Sequence, residues 1–158
     1  MQHIKLAPHK LLISISVVSF SLLLSACSGS RPIQLGEPLA SLMPCPDSPN
    51  CVSSSAPAED DHFIAPISSK GASIAQTQEK LITLIKADPA AEIIVNSPKY
   101  IYAEYTSSWM RYVDDVEFLF DETNQHIEVR SASRLGYKDF GVNRDRIESI
   151  REQLNQTK

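Results

Sequence analysis

The tightest constraint on the fold lies between residues 112 and 133. Val116, Phe118 and Phe120 recur at every second position, and Ile127 and Val129 do so again after the polar link DETNQ (121–125). A period of two places each set on one face of a strand, and the link reads as a hairpin connection. Buried positions must then face buried positions. Pairing Phe118 with Val129 sets Arg130 opposite Glu117, and pairing it with Ile127 sets Arg130 opposite Asp115. In either register Arg130 meets a carboxylate on the other face of the sheet, a cross-strand contact contributing roughly 0.2–1 kcal/mol.

The remaining elements follow from similar patterns. EIIV (92–95) and YIYAEYTS (100–107) read as two more strands, beside 112–120 and 126–133. FIAPI (63–67) reads as a short edge strand, because Pro66 lacks the N–H that a central strand needs. Ser73 followed by Gln76 matches a capping box, and Ile74, Leu81, Ile82 and Ile85 share one face, predicting a helix over 74–87 that Pro89 terminates. A last helix is expected from Asn143, taken as its N-cap, with Ile147, Ile150 and Leu154 as its apolar stripe. The sum is an α+β domain: a mostly antiparallel sheet of four to five strands with two helices packed on one face.

The N-terminus has a different logic. Lys5 and Lys10 precede an uncharged run, LLISISVVSFSLLL, too short to span a bilayer, and LSAC (24–27) follows it. This layout resembles a bacterial signal peptide ending in a lipobox. It implies cleavage after residue 26 and acylation of Cys27, with 27–44 as a lipidated cysteine and flexible tether and 45–158 as one domain. As free coil the tether would average roughly 20–25 Å end to end. Ser28, rather than Asp, after the cysteine resembles sorting to the outer membrane, facing the periplasm. Lys5 and Lys10 would leave with the leader, so 13 of the 15 basic residues would face 19 acidic ones, which argues against nucleic acid as a partner. Cys45 and Cys51 remain, and in an oxidising compartment a disulfide is the default. The Cys-x5-Cys spacing is not that of a redox motif. His62 and His126 show no ligand spacing, so neither a metal nor a cofactor is expected.

The stretch RSASRLGYKDFGVNRDRIESI (130–150) carries the candidate site. Arg144 and Arg146 fall in the first turn of the last helix, where the helix dipole disfavours cations. Such a placement calls for a compensating partner. That partner is either internal, from Asp114, Asp115 or Glu104, or an external anion held by helix N–H groups with Arg134, Lys138, Arg144 or Arg146. Arg130, Arg134, Lys138, Arg144, Arg146, Asp114, Asp115 and Glu117 thus form one candidate cluster, for anion binding or for structural ion pairing.

CPDSPNCVSS, YIYAEYTSSWMRYVDDVEF and VRSASRLGYKDFGVNRDRIESI occur in this order, and together they resemble the bacterial domain-of-unknown-function family 1499 (DUF1499) over residues 44–154. The resemblance implies a secreted or lipid-anchored protein. It supplies no catalytic residues.

Three function classes remain. One is a lipid-anchored, non-catalytic envelope protein that binds another protein or supports the envelope. The second is a binding module for a small anionic or amphipathic ligand at 134–146, with Tyr100, Tyr102, Tyr105, Trp109 and Tyr112 as aromatic surface. The third is an enzyme using a carboxylate pair among Glu104, Asp114, Asp115 and Glu117; acids opposite arginines are more simply ion pairs, and no catalysis is expected.

Overall fold

The computed structural model describes residues 29–36 and 41–156. The leader, Cys27 and the last two residues lie outside the described residues. The chain is α+β, as the periodicities predict. Its strands are β1 (Cys51–Ser53), β2 (Ile67–Ser68), β3 (Ala91–Ser97), β4 (Tyr100–Thr106), β5 (Val113–Asp121) and β6 (His126–Ser133). Its helices are α1 (Ile74–Ala87) and α2 (Val142–Gln156). The sheet is antiparallel, in the order β1-β6-β5-β4-β3, and β2 pairs with β6 beside β1. It is therefore larger than the four to five strands expected. The extra strand is β1, from a turn-rich segment expected to be irregular. Three residues carry too short a pattern to announce a strand, and the ladder partner, β6, lies far along the chain.

The central hairpin takes the Phe118–Val129 register, with Glu117 opposite Arg130. Its turn closes on Asp121, whose carboxylate accepts from the backbone N–H of Thr123 and of Asn124, both at 2.9 Å. Helix α1 opens with the expected capping box: Ser73 Oγ accepts from Gln76 N–H, and Gln76 Oε1 accepts from Ser73 N–H.

Both helices pack on one face. Leu81 and Ile85 of α1 and Ile147, Ile150 and Leu154 of α2 join Ile101, Val116, Phe118, Phe120, Ile127 and Val129 in one core. Each such side chain, fully buried, is worth roughly 1.5–3 kcal/mol. The opposite face is not left to water. Leu35 and Leu42 cover Tyr100 and Tyr102 there, joined by Val95 and by Ile94, the unpaired residue of a bulge in β3. The described part of the expected tether is thus docked rather than free. Two apolar side chains spaced seven residues apart show no period, so sequence reading passes over them.

The start of α2 departs from expectation. Asn143 is not the N-cap but lies inside the helix, fully buried. Asp139 takes the capping role, its carboxylate accepting from the backbone N–H of Asn143 at 2.9 Å and of Gly141 at 3.1 Å. The intervening Phe140 and Gly141 adopt φ of 57° and 88°, and this left-handed pair folds the loop back so that Asp139 reaches the helix start.

Candidate functional site

The single cluster expected from the sequence divides across the sheet. Successive side chains point to opposite faces. On β5, Asp115 and Glu117 take the face under Leu35 and Leu42, while Asp114 points toward the helices. On β6 and just beyond it, Arg130 and Arg134 take the first face and Ser131 and Ser133 the second.

On the face away from the helices the charges form a buried network. Arg134 donates to Asp115 through Nε at 3.0 Å and through its terminal nitrogen at 2.5 Å. The same guanidinium also reaches Glu104 Oε1 and Tyr102 Oη, and Arg31 adds a second cation to Glu104 at 2.5 Å. Tyr102 Oη donates to Asp115 at 2.5 Å and Tyr100 Oη to Glu117 at 2.7 Å. Burial, then the adjoining carboxylates, raise both phenol pKa values, so these tyrosines stay neutral donors. Hydrogen bonds to Asp115 lead the causes that raise the pKa of Arg134. Arg130 completes the set, donating to Glu117 at 3.2 Å, while its buried Nε has no partner among the described residues. Glu117 is fully buried, so this pair is an internal one and not the surface contact its sequence position suggests.

On the helix face Arg146 donates to Asp114 at 2.5 Å and lies over the Tyr105 ring, 4.6 Å from its centroid. Burial pushes the Tyr105 phenol up to about 12. Beside Arg146, Asn143 uses its whole amide. Its two Nδ2 hydrogens are shared among Asn50 O, Ser133 Oγ and Asp139 Oδ2, and its Oδ1 accepts from Ser131 Oγ and Arg146. A cleft of about 580 Å³ opens between the end of α1 and the start of α2, lined in part by Tyr105, Asp114, Asp145 and Arg146.

Arg144 follows neither expected path. It donates to the backbone carbonyls of Phe63 at 2.8 Å and Asp61 at 2.7 Å, with no carboxylate in the arrangement. Arg151, two turns on, does the same to Pro66 O and Ala65 O. These two arginines fasten the irregular segment 61–66 to α2. Sequence reasoning missed it because a carbonyl partner leaves no trace in residue type. Lys138 stands exposed in the loop before α2.

The family described as "Protein of unknown function (DUF1499)" matches residues 41–154. The chain belongs to this family. No curated protein and no solved structure matches it.

Within this DUF1499 chain Cys45 and Cys51 are bridged, with Cα atoms 5.7 Å apart. His62 ties the following loop to that bridge region: Nδ1 meets Asp60 Oδ1 at 2.7 Å and Nε2 meets Ser48 O at 3.2 Å. Two acceptors favour the doubly protonated ring, and the Asp60 hydrogen bond raises the His62 pKa. Ser54 Oγ donates to Glu128, and His126 Nε2 meets the other Glu128 oxygen at 2.7 Å. Here the carboxylate stands between serine and histidine. In a hydrolytic triad the histidine must hold that middle place to take the serine proton. Among the described residues no group of three or more His, Cys, Asp or Glu is placed to hold a metal ion, and no helix is long and apolar enough to cross a membrane.

Proposed function

We propose that this DUF1499 member is a lipid-anchored, non-catalytic protein of the bacterial cell envelope, held at the outer membrane through acylated Cys27, that binds another envelope protein or supports the envelope. The observation that carries the reading is the mutual neutralisation of its candidate acids and arginines. Glu104, Asp114, Asp115 and Glu117 each accept from an arginine, and Asp115 and Glu117 from a tyrosine as well. An acid so held is a poor general base. Arg134, Arg144 and Arg146 are likewise engaged within the chain, which weighs against the anionic-ligand alternative. The Cys45–Cys51 bridge fits an oxidising compartment, and LSAC fits lipidation.

The test is the intact mass of the protein extracted from membranes. It should lack residues 1–26 and carry acyl chains on Cys27. A mass without acyl chains sinks the anchoring. Crosslinking in the intact envelope then tests the partner: a reproducible protein adduct is expected. A small molecule retained through gentle purification, and lost with Arg134→Ala, would reverse the choice between binding classes.

A further inference from the structure

One end of the sheet carries apolar side chains that the fold does not use. The loop from β4 to β5 exposes Trp109 (89%), Met110 and Tyr112, and the loop from β6 to α2 exposes Leu135, Tyr137 and Phe140 (94%). The two loops leave adjacent strand ends, where Ser133 pairs with Asp114 and Arg134 N–H donates to Val113 O. Phe140 adopts φ 57°, which a bulky residue rarely takes, and Arg111 does the same in the other loop. Folding gains almost no burial from either Trp109 or Phe140. Exposed Arg111 and Lys138 flank these aromatics. The loop's own acid, Asp139, is turned to the start of α2.

The chain arrives at the same end. Gly29 packs against Leu135 so closely that a Cβ there would stand 3.1 Å from Leu135 Cγ. Only Ser28 separates Gly29 from Cys27, so their Cα atoms lie within roughly 7–8 Å of each other. With the anchoring proposed above, the acyl chain would enter the bilayer near Leu135, because Gly29 is held there.

We infer that this end, Trp109, Met110 and Tyr112 with Leu135, Tyr137 and Phe140, is a membrane-docking surface that seats the domain on the lipid head groups around its own anchor. The inference rests on the anchoring at Cys27 proposed above. Tryptophan and tyrosine favour the head-group region, where an apolar ring and a polar edge are both satisfied, and the two cations suit an anionic leaflet. The domain then lies against the membrane instead of hanging from a free coil, and its opposite end is left for a partner.

Trp109 is the single tryptophan of the chain, so its fluorescence reports the docking directly. The full-length protein, purified from membranes, is mixed with vesicles of phosphatidylethanolamine and phosphatidylglycerol, with or without bromine on the upper acyl carbons. Brominated lipid should quench Trp109 at least about twofold, and Phe140→Asp, unchanged in melting temperature, should lose most of that quenching. Protein that floats with the vesicles while Trp109 stays unquenched overturns the inference. So does absence of any vesicle association, and so does a protein crosslink through Trp109 in the envelope without lipid quenching. Intact mass, measured on the same sample, reports acylation separately, so failure of anchoring and failure of docking are told apart.

Discussion

Arg134 and Asp115 meet side by side, Nε to Oδ2 at 3.0 Å and the terminal nitrogen to Oδ1 at 2.5 Å, on the sheet face away from both helices. The side chains are 7% and 3% exposed. A pair this buried behaves unlike a surface ion pair. Its two charges are held in a low-dielectric setting, and each needs the other.

Replacing Arg134 with Met should therefore cost about 3–5 kcal/mol, because Asp115 is left as a buried charge without its cation. Arg134→Met combined with Asp115→Leu should cost less than Arg134→Met alone. Urea unfolding of the two variants checks this. A single-variant loss below about 1 kcal/mol would place the pair with exposed ones.

Glu104 gives the network a pH dependence. Burial alone would raise its carboxyl pKa. Hydrogen bonds from Arg31, then Arg134 and Tyr102, outweigh that and bring it from 4.5 to about 2. A folded-state value below the unfolded one stabilises at higher pH, and this contribution fades as pH falls from 4.5 toward about 2. Its size is on the order of 3 kcal/mol. Thermal unfolding of wild type and Glu104→Gln should differ most near neutral pH and converge in strong acid. A gap that stays constant with pH would assign the loss to packing.

Asn143 and Asp139 both secure the start of α2, by different means. Asn143→Ala takes the acceptor from the buried Ser131 hydroxyl and one of two donors from Asn50 O, and should cost about 3 kcal/mol. Asp139→Ala removes a cap and should cost about 1 kcal/mol. Denaturant midpoints of the two variants rank them. The reverse order would make the cap the principal fastening.

Arg144→Ala should cost about 1–2 kcal/mol, with the loss the same in buffer with and without phosphate, because its partners are backbone carbonyls of Asp61 and Phe63. Amide exchange should speed up in 61–66 ahead of the sheet. A variant that is neutral without phosphate but loses phosphate-dependent stability would restore the anion reading for Arg144.

The residues show why some of this was legible beforehand. Phe118, Val129 and the 74–87 stripe obey short periods, and a period reports the face a residue occupies without any knowledge of its partners. Ser73 and Gln76 cap a helix from within four residues. The same alternation narrowed Arg130 to two carboxylates, Glu117 or Asp115, because two registers bring apolar residues together, and the structure takes the first. The cluster drawn from 130–146 did not survive as one site. Arg134 and Arg146 are twelve positions apart on a chain that turns between them, and the sheet separates their carboxylates.

By itself, then, the sequence determined the α+β class, the central hairpin with its choice of two registers, the boundaries of α1, and that Arg130 faces a carboxylate across the hairpin; the structure selected Glu117. Each is local or periodic, so neighbouring residue types carry the information. Only the tertiary structure decided that Leu35 and Leu42 roof the second sheet face, that Asn143 is an interior hub, that Arg144 and Arg151 bind carbonyls, and that Gly29 arrives beside Leu135. These contacts join residues far apart in the chain, and several use backbone atoms that every residue possesses. No pattern of side-chain types can encode them.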